Sequence, residues 1–260
     1  MKVEAQRFEV RLARDEDEVR AAQRLRYTVF VEEMGASASD ADHAERLERD
    51  RFDPYFDHLL LIDRERAAPD HVVGVYRLLR GAVAAAGPGF YGQSEYDLRP
   101  LLDLGRETVE LGRSCVHPDY RGGVAMHLLW SGLGEYVIGH GIEVMFGVAS
   151  FPGTDVDALA QPLSHLHHAH LAPPDLRVRA LPEHFVAMDR LPAVEVEPRE
   201  AMKRMPPLIK AYLRLGGVVG EGAFVDHDFN TVDVCLLMDT ARMQSRYRDM
   251  YSRRARKADP

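Results

Sequence analysis

The block from Thr108 to Arg121, with the helical pattern behind it, constrains this chain more than any other stretch. Thr108 to Val116 reads as a strand and ends at His117-Pro118. The chain then passes through Arg121-Gly122-Gly123 into its clearest helical pattern. Ala125, Leu128, Leu129, Gly132, Leu133 and Tyr136 recur on one face, and Gly139 and Gly141 close the run. A strand that turns directly into an amphipathic helix points to an α/β architecture.

Other segments extend that reading. Asp15-Glu16-Asp17-Glu18 opens a helix with Asp15 as cap; Val19, Ala22, Leu25, Val29 and Phe30 form its apolar face, and Gly35 stops it. Ala36 to Tyr55 is a long acidic polar segment, the kind of loop that carries function. His58–Ile62 and Val72–Leu78 read as neighbouring strands, Gly81–Pro100 as irregular, and Ile142–Ala149 and Val232–Met238 as further strands. Asp155–Ala169 reads as helical. Met205, Leu208, Ile209, Tyr212 and Leu213 mark another helix, closed by Gly216-Gly217. No linker divides the chain, so one domain is expected over residues 1–240, with a basic tail over 241–260.

Composition narrows the class. The 260 residues are 46% apolar and 28% charged, enough to bury a core without disulfides. Two cysteines exclude a disulfide scaffold and an all-cysteine zinc site. No run approaches the roughly 20 apolar residues that span a bilayer. The first residues lack an apolar signal core, so a cytoplasmic location is expected. A net charge of −8 argues against nucleic acid. Arg242 to Lys257 nevertheless holds seven basic residues against one acid, which suits an anionic partner.

The chemistry concentrates around Glu110. A carboxylate on an otherwise apolar strand is costly to bury unless it is paired or functional. Alternation sends Glu110 and Arg113 to opposite faces unless a bulge at Gly112 re-aims one of them. Arg121-Gly122-Gly123, just ahead of a helix, has the makings of a phosphate cradle. Cys115 and His117 at i, i+2 formally allow a thiol nucleophile, but a core cysteine is the commoner use. His165, His167, His168 and His170 spread over different helix faces, and no metal site is expected. His58 and Asp63 match an H-x4-D spacing, yet five residues along a strand they face apart.

The Arg-Gly-Gly turn resembles the acyl-donor turn of the GCN5-related N-acetyltransferase (GNAT) superfamily, one residue short of its usual pattern. Arg26-Tyr27-Thr28-Val29-Phe30, Asp50-Arg51-Phe52-Asp53, Gly74–Leu78 and Glu110-Leu111-Gly112-Arg113 resemble the ordered motifs of the acyl-homoserine-lactone synthases, without the tryptophan those carry after the Val-Phe pair. Glu110–Val116, Leu129-Trp130, Leu166–Pro173, the block Met205–Gly216 and Phe229–Val234 are similar to the L-ornithine Nα-acyltransferases.

The resemblance implies a single GNAT-type α/β domain, a mixed and mostly antiparallel sheet flanked by helices, with a C-terminal helical and strand extension. It implies transfer of a 3-hydroxyacyl chain from acyl-carrier protein to the α-amine of L-ornithine, forming lyso-ornithine lipid. No cofactor is implied beyond the carrier's phosphopantetheine thioester. Glu110 is the implied general base, and Arg113 is implied either to bind the ornithine carboxylate at the catalytic centre or to join a structural network. Arg26, Asp50, Asp53 and Arg77 either bind the amino acid or form a structural network. Cys115, Val116, Arg121, Gly122 and Gly123 line the pantetheine. Lys203, Arg204, Lys210, Arg214 and the tail are candidates for docking the acidic carrier or lying against the inner membrane. Two rival readings stand: a homoserine-lactone synthase, and a non-catalytic GNAT-like protein that binds carrier or membrane.

Overall fold

The computed structural model describes residues 7–122 and 124–242. Gly123 and the basic tail beyond Arg242 lie outside the described residues. Two compact units emerge, one from residues 7–88 and 110–141, the other from 89–109 and 142–242.

In the first unit, strand β1 (Phe8–Leu12) pairs antiparallel with β2 (Asp57–Asp63), Val10 facing Leu61. Strand β2 pairs antiparallel with β3 (Val72–Arg80), His58 opposite Arg77. Strand β4 (Thr108–Val116) comes next in order. The apolar run in β2 is buried on both faces. Leu60 and Ile62 join Val72, Val75 and Cys115 in a cluster with Ala21, Ala22 and Leu25 of helix α1 (Glu16–Arg26). On the other face lies helix α2 (Ala125–Gly139). There a Cβ on Gly132 would run into Val10, and one on Gly74 would come within 2.8 Å of Leu129. Glycine at both positions is what lets this helix lie so close to the strands.

The cap expected at Asp15 is present: its Oδ1 accepts from the Glu18 N–H at 2.9 Å. The helix expected through Phe30, however, is α-helical only to Arg26. Residues Tyr27–Glu33 form a π-helical turn, and Gly35 closes the segment at φ 78°. The wider turn departs from the 3.6-residue period, so Tyr27, Val29 and Val31 are buried while Phe30 is half-buried.

In the second unit, β5 (Val144–Pro152) and β6 (Thr231–Asp239) pair antiparallel along their whole length. Short strands Val218–Val219 and Phe224–Asp226 also pair with β6. Strand β5 starts two residues later than expected, because Glu143 serves the connection: its carboxylate accepts from the Glu107 N–H at 3.1 Å. The helix expected over Asp155–Ala169 is a 3-10 turn at Asp157–Leu159 followed by α3 (Ala160–His170). Helices α4 (Pro198–Arg204) and α5 (Pro207–Arg214) each carry proline in the first turn, where its missing N–H has no partner to lose. Ile209 and Tyr212 of α5 are buried, and Gly216 follows at φ 97°. The segment expected to be irregular, Gly81–Pro100, includes helix Gly81–Ala86 and the short strand Tyr96–Asp97, which pairs with Arg179–Ala180.

Candidate active site

Five predicted residues of the first unit, Arg26, Asp50, Asp53, Arg77 and Arg113, converge on one buried ionic network. Arg26 ends α1 with its side chain fully buried. Its Nε donates to Glu48 at 2.5 Å and its Nη1 to Asp53 at 2.6 Å. Arg77 of β3 donates from Nη1 to Asp53 at 2.7 Å and to Asp50 at 2.8 Å. Arg113 of β4 reaches Glu48 at 3.2 Å and Asp50 at 3.3 Å. Gln23 adds a bond to Asp53 at 2.9 Å, and Arg77 lies over the Phe56 ring at 4.3 Å. Three arginines thus meet three acids, so charge balances inside the protein.

The acidic segment therefore has a defined task. Its short helix Asp40–Glu45 ends at Arg46 with φ 54°, and the Glu48 N–H is tied to the Gln23 carbonyl of α1 at 3.1 Å. This anchoring delivers Glu48, Asp50 and Asp53 to the arginines. Burial pushes these carboxyls up, but the guanidiniums outweigh it and hold all three below the usual range. Glu48 did not stand out in the sequence, where it is one acid among many in a polar stretch. The network is graded. Arg26 and Arg77 are sealed, whereas the side chains of Arg113 and Asp50 retain 12% and 19% of their exposure.

Alternation alone does not place Arg113. The backbone irregularity sits at Arg113 itself, at φ 49°, rather than at Gly112. A non-glycine residue in that region costs on the order of 1–3 kcal/mol, and the ion pairs to Glu48 and Asp50 hold it there. Glu110, three residues earlier, is 2% exposed.

Cys115 belongs to the core beneath α1, and burial pushes its thiol up to about 12, far from a reactive thiolate. Val116 is buried, and its carbonyl accepts from Arg121 Nε at 3.0 Å. The remaining guanidinium nitrogens of Arg121 form a bidentate pair with Glu33, the last residue of the π-helical turn, at 2.5 and 2.7 Å. That pair holds the Glu33 carboxyl below the usual range. Gly122 has φ 75° with open space where a Cβ would stand, and helix α2 starts without a side-chain cap. The turn is fastened from behind: Tyr120 donates to Asp63 at 2.6 Å, and Arg7 bonds the same carboxylate. His58 instead bonds the Asp53 carbonyl, so it and Asp63 serve different neighbourhoods, as expected.

On α3, His165 and His170 pack edge to face at 5.2 Å, and His168 meets the Leu191 carbonyl at 2.9 Å. Lys203 pairs with Glu200, and Arg204 donates to the Ala158 carbonyl. No helix among the described residues is long and apolar enough to cross a membrane.

Residues 25–131 match the acetyltransferase (GNAT) domain family. The chain is 58% identical over 249 residues to an L-ornithine N(alpha)-acyltransferase of Rhodobacter capsulatus, covering 95% of each chain. It is 45% identical over 253 residues to one of Brucella abortus, covering 95% of this chain and 90% of that one. Among solved structures, it resembles FeeM, an N-acyl amino acid synthase from uncultured soil microbes, with a TM-score of 0.51 at 12% identity over 90% and 92% of the two chains. It also resembles the CoA-dependent acyl-homoserine lactone synthase BjaI, with a TM-score of 0.50 at 18% identity over 92% and 82%. The expected GNAT-type α/β fold, with antiparallel pairings and flanking helices, is the fold of this chain.

Proposed function

The chain belongs to the L-ornithine Nα-acyltransferase family and is an N-acyltransferase; from that premise we propose that it moves a 3-hydroxyacyl chain from acyl-carrier protein to the α-amine of L-ornithine, yielding lyso-ornithine lipid. The observation that carries the mechanism is Glu110, a carboxylate 2% exposed on β4. It takes the proton from the attacking nitrogen, directly or through one water. The amine attacks the thioester carbonyl carbon, a C–N bond forms, the C–S bond breaks, and the carrier thiolate leaves. Backbone N–H groups around Cys115 and Val116 stabilise the oxyanion. No acyl-enzyme is needed, in keeping with the raised Cys115 thiol.

Arg113 and Asp50, the least sealed members of the network, meet the amino acid's α-carboxylate and α-ammonium. Arg26, Arg77 and Asp53 hold them in place. Arg121, Gly122, Gly123 and the uncapped start of α2 receive the pantetheine phosphate. For its guanidinium to bind that phosphate bidentately, Arg121 must release Glu33. Acyl-carrier protein docks on Lys203, Arg204, Lys210 and Arg214, and the basic tail lies against the inner membrane. The donor's own phosphopantetheine is the only prosthetic group the reaction requires.

The test is to incubate the protein with 3-hydroxyacyl-carrier protein and a panel of amino acids, following free carrier thiol and product mass. N-acylated ornithine is the expected product. Thiol release only with S-adenosylmethionine, giving a lactone, would replace this reading with the synthase reaction. Glu110→Gln should keep the near-ultraviolet circular dichroism and lower kcat by about 10²–10⁴-fold. Near-wild-type turnover in that variant would remove Glu110 from the mechanism.

A further inference from the structure

Gly112 is a glycine that the fold does not ask for. It stands in the middle of β4, where a glycine weakens the strand because it orders a freer backbone and packs nothing. Its φ lies outside the left-handed region that Arg113 occupies one residue later. Nothing crowds it. A Cβ built there would stand 3.9 Å from Phe56 Cε1, 3.9 Å from Arg77 Nη2 and 4.0 Å from Arg77 Nε, which are ordinary contact distances. Gly74 and Gly132 differ in this respect, since their missing side chains make room for packing. A strand glycine needed by neither backbone nor packing marks a place where another molecule comes close.

A second observation points to a ligand. Arg77 is 1% exposed, and its Nη1 carries the ion pairs to Asp50 and Asp53. Its Nε is buried and has no hydrogen-bond partner among the described residues. A buried guanidinium N–H without an acceptor is uncommon in a folded protein and calls for one. Nε and Nη2 form one edge of the guanidinium, the fork that a carboxylate takes with both oxygens. That edge borders the space over Gly112, its two nitrogens nearly equidistant from the Cβ position. Alternation puts the same space on the Glu110 face of β4. The strand is buried from Thr108 to Leu111 and becomes half-buried at Gly112, so solvent reaches it there.

We propose that the space over Gly112 seats the acceptor's α-carboxylate, with the Nε–Nη2 edge of Arg77 as a second cationic contact beside Arg113, and that Gly112 is a specificity-determining residue. This rests on the ornithine reading above and deepens its acceptor site. The charges agree: three arginines balance three acids in the network, and the carboxylate and α-ammonium of an amino acid add no net charge to it. The α-amine is bonded to the carbon next to that carboxylate, so a carboxylate held on the Glu110 face keeps the nucleophile near the proposed base. A side chain at this position would take the carboxylate's place.

The test is Gly112→Ala in the whole protein, assayed with 3-hydroxyacyl-carrier protein and with either L-ornithine or putrescine, which is ornithine without its carboxylate. The variant should melt within about 3 °C of wild type or above it. Its KM for ornithine should rise at least about fivefold, while its KM for the carrier thioester stays within about twofold. Wild type should favour ornithine over putrescine in kcat/KM, and the variant should lose most of that preference. A smaller rise in the ornithine KM overturns the proposal, as does a preference kept in full. An equal rise in the thioester KM overturns it too, because the space is then the donor's. So does a larger fall in melting temperature, since packing then requires the glycine. Failure of the ornithine reading looks different: wild type then forms no N-acylornithine from the carrier thioester. Calorimetric titration with L-ornithine alone still compares wild type with the variant in that case, and equal affinities overturn the seat.

Discussion

Two buried acidic clusters of this protein are assembled differently. In the first unit Glu48, Asp50 and Asp53 meet Arg26, Arg77 and Arg113, and their charge is answered by the fold itself. In the second unit Glu95, Asp226 and Asp233 meet one another. A balanced cluster rigidifies a wall. Burial alone does not separate the two.

The largest expected effect breaks the balanced side. Arg26→Met leaves Glu48 and Asp53 buried and short of a cation, and should lower the free energy of unfolding by about 3–5 kcal/mol in urea denaturation. A loss under 1 kcal/mol would mean that the network contributes little rigidity.

Acid should erode the same cluster. Glu48, Asp50 and Asp53 have folded-state carboxyls held below their ordinary values, and Asp63 and Glu18 are lowered to about 2 by hydrogen bonds from Arg7 and Arg11. A depressed carboxyl stabilises fully above its unfolded value of about 4 and loses that contribution as pH falls through the folded value. Urea midpoints should therefore fall steeply between pH about 4 and about 2, and vary little with these groups between pH 5 and 7.

In the second cluster the sign reverses. Asp226→Asn keeps an oxygen for the N–H groups of Asp228 and Phe229 while removing one of three neighbouring carboxylates, and should gain roughly 1 kcal/mol in stability by urea denaturation. A destabilised variant would show that this carboxylate is held by favourable pairing. The smallest effect is at Glu33, half-exposed like its partner Arg121. Glu33→Gln should change stability by less than about 1 kcal/mol, yet lower the KM for the carrier thioester about two- to fivefold by freeing Arg121.

How much of this was legible follows from where the physics is local. The Asp15 cap, the β2 and β3 strands and the α2 stripe depend on neighbours in sequence, and each is present within a residue or two. The π-helical turn was not, since a 3.6-residue period conceals one wider turn. Arg113 faces Glu48 and Asp50 through its own left-handed backbone, a choice dictated by ion pairs more than 60 residues distant in sequence. Glu48 carries no mark among its acidic neighbours. Asp233 did carry one: the reasoning that singles out Glu110, a carboxylate on an apolar strand, applies to it equally. Its partners Glu95 and Asp226 come from a glycine-rich stretch and a short strand, and only folding brings them together.

Gly74 and Gly132 have a consequence for how the enzyme can evolve. Helix α2 rests on β1, β2 and β3 with no room for a methyl group at either glycine. The Arg121-Gly122 turn enters that helix, so any side chain that lifts α2 also moves the turn. The position of the turn proposed to receive the donor is thus inherited from two residues that carry no side chain.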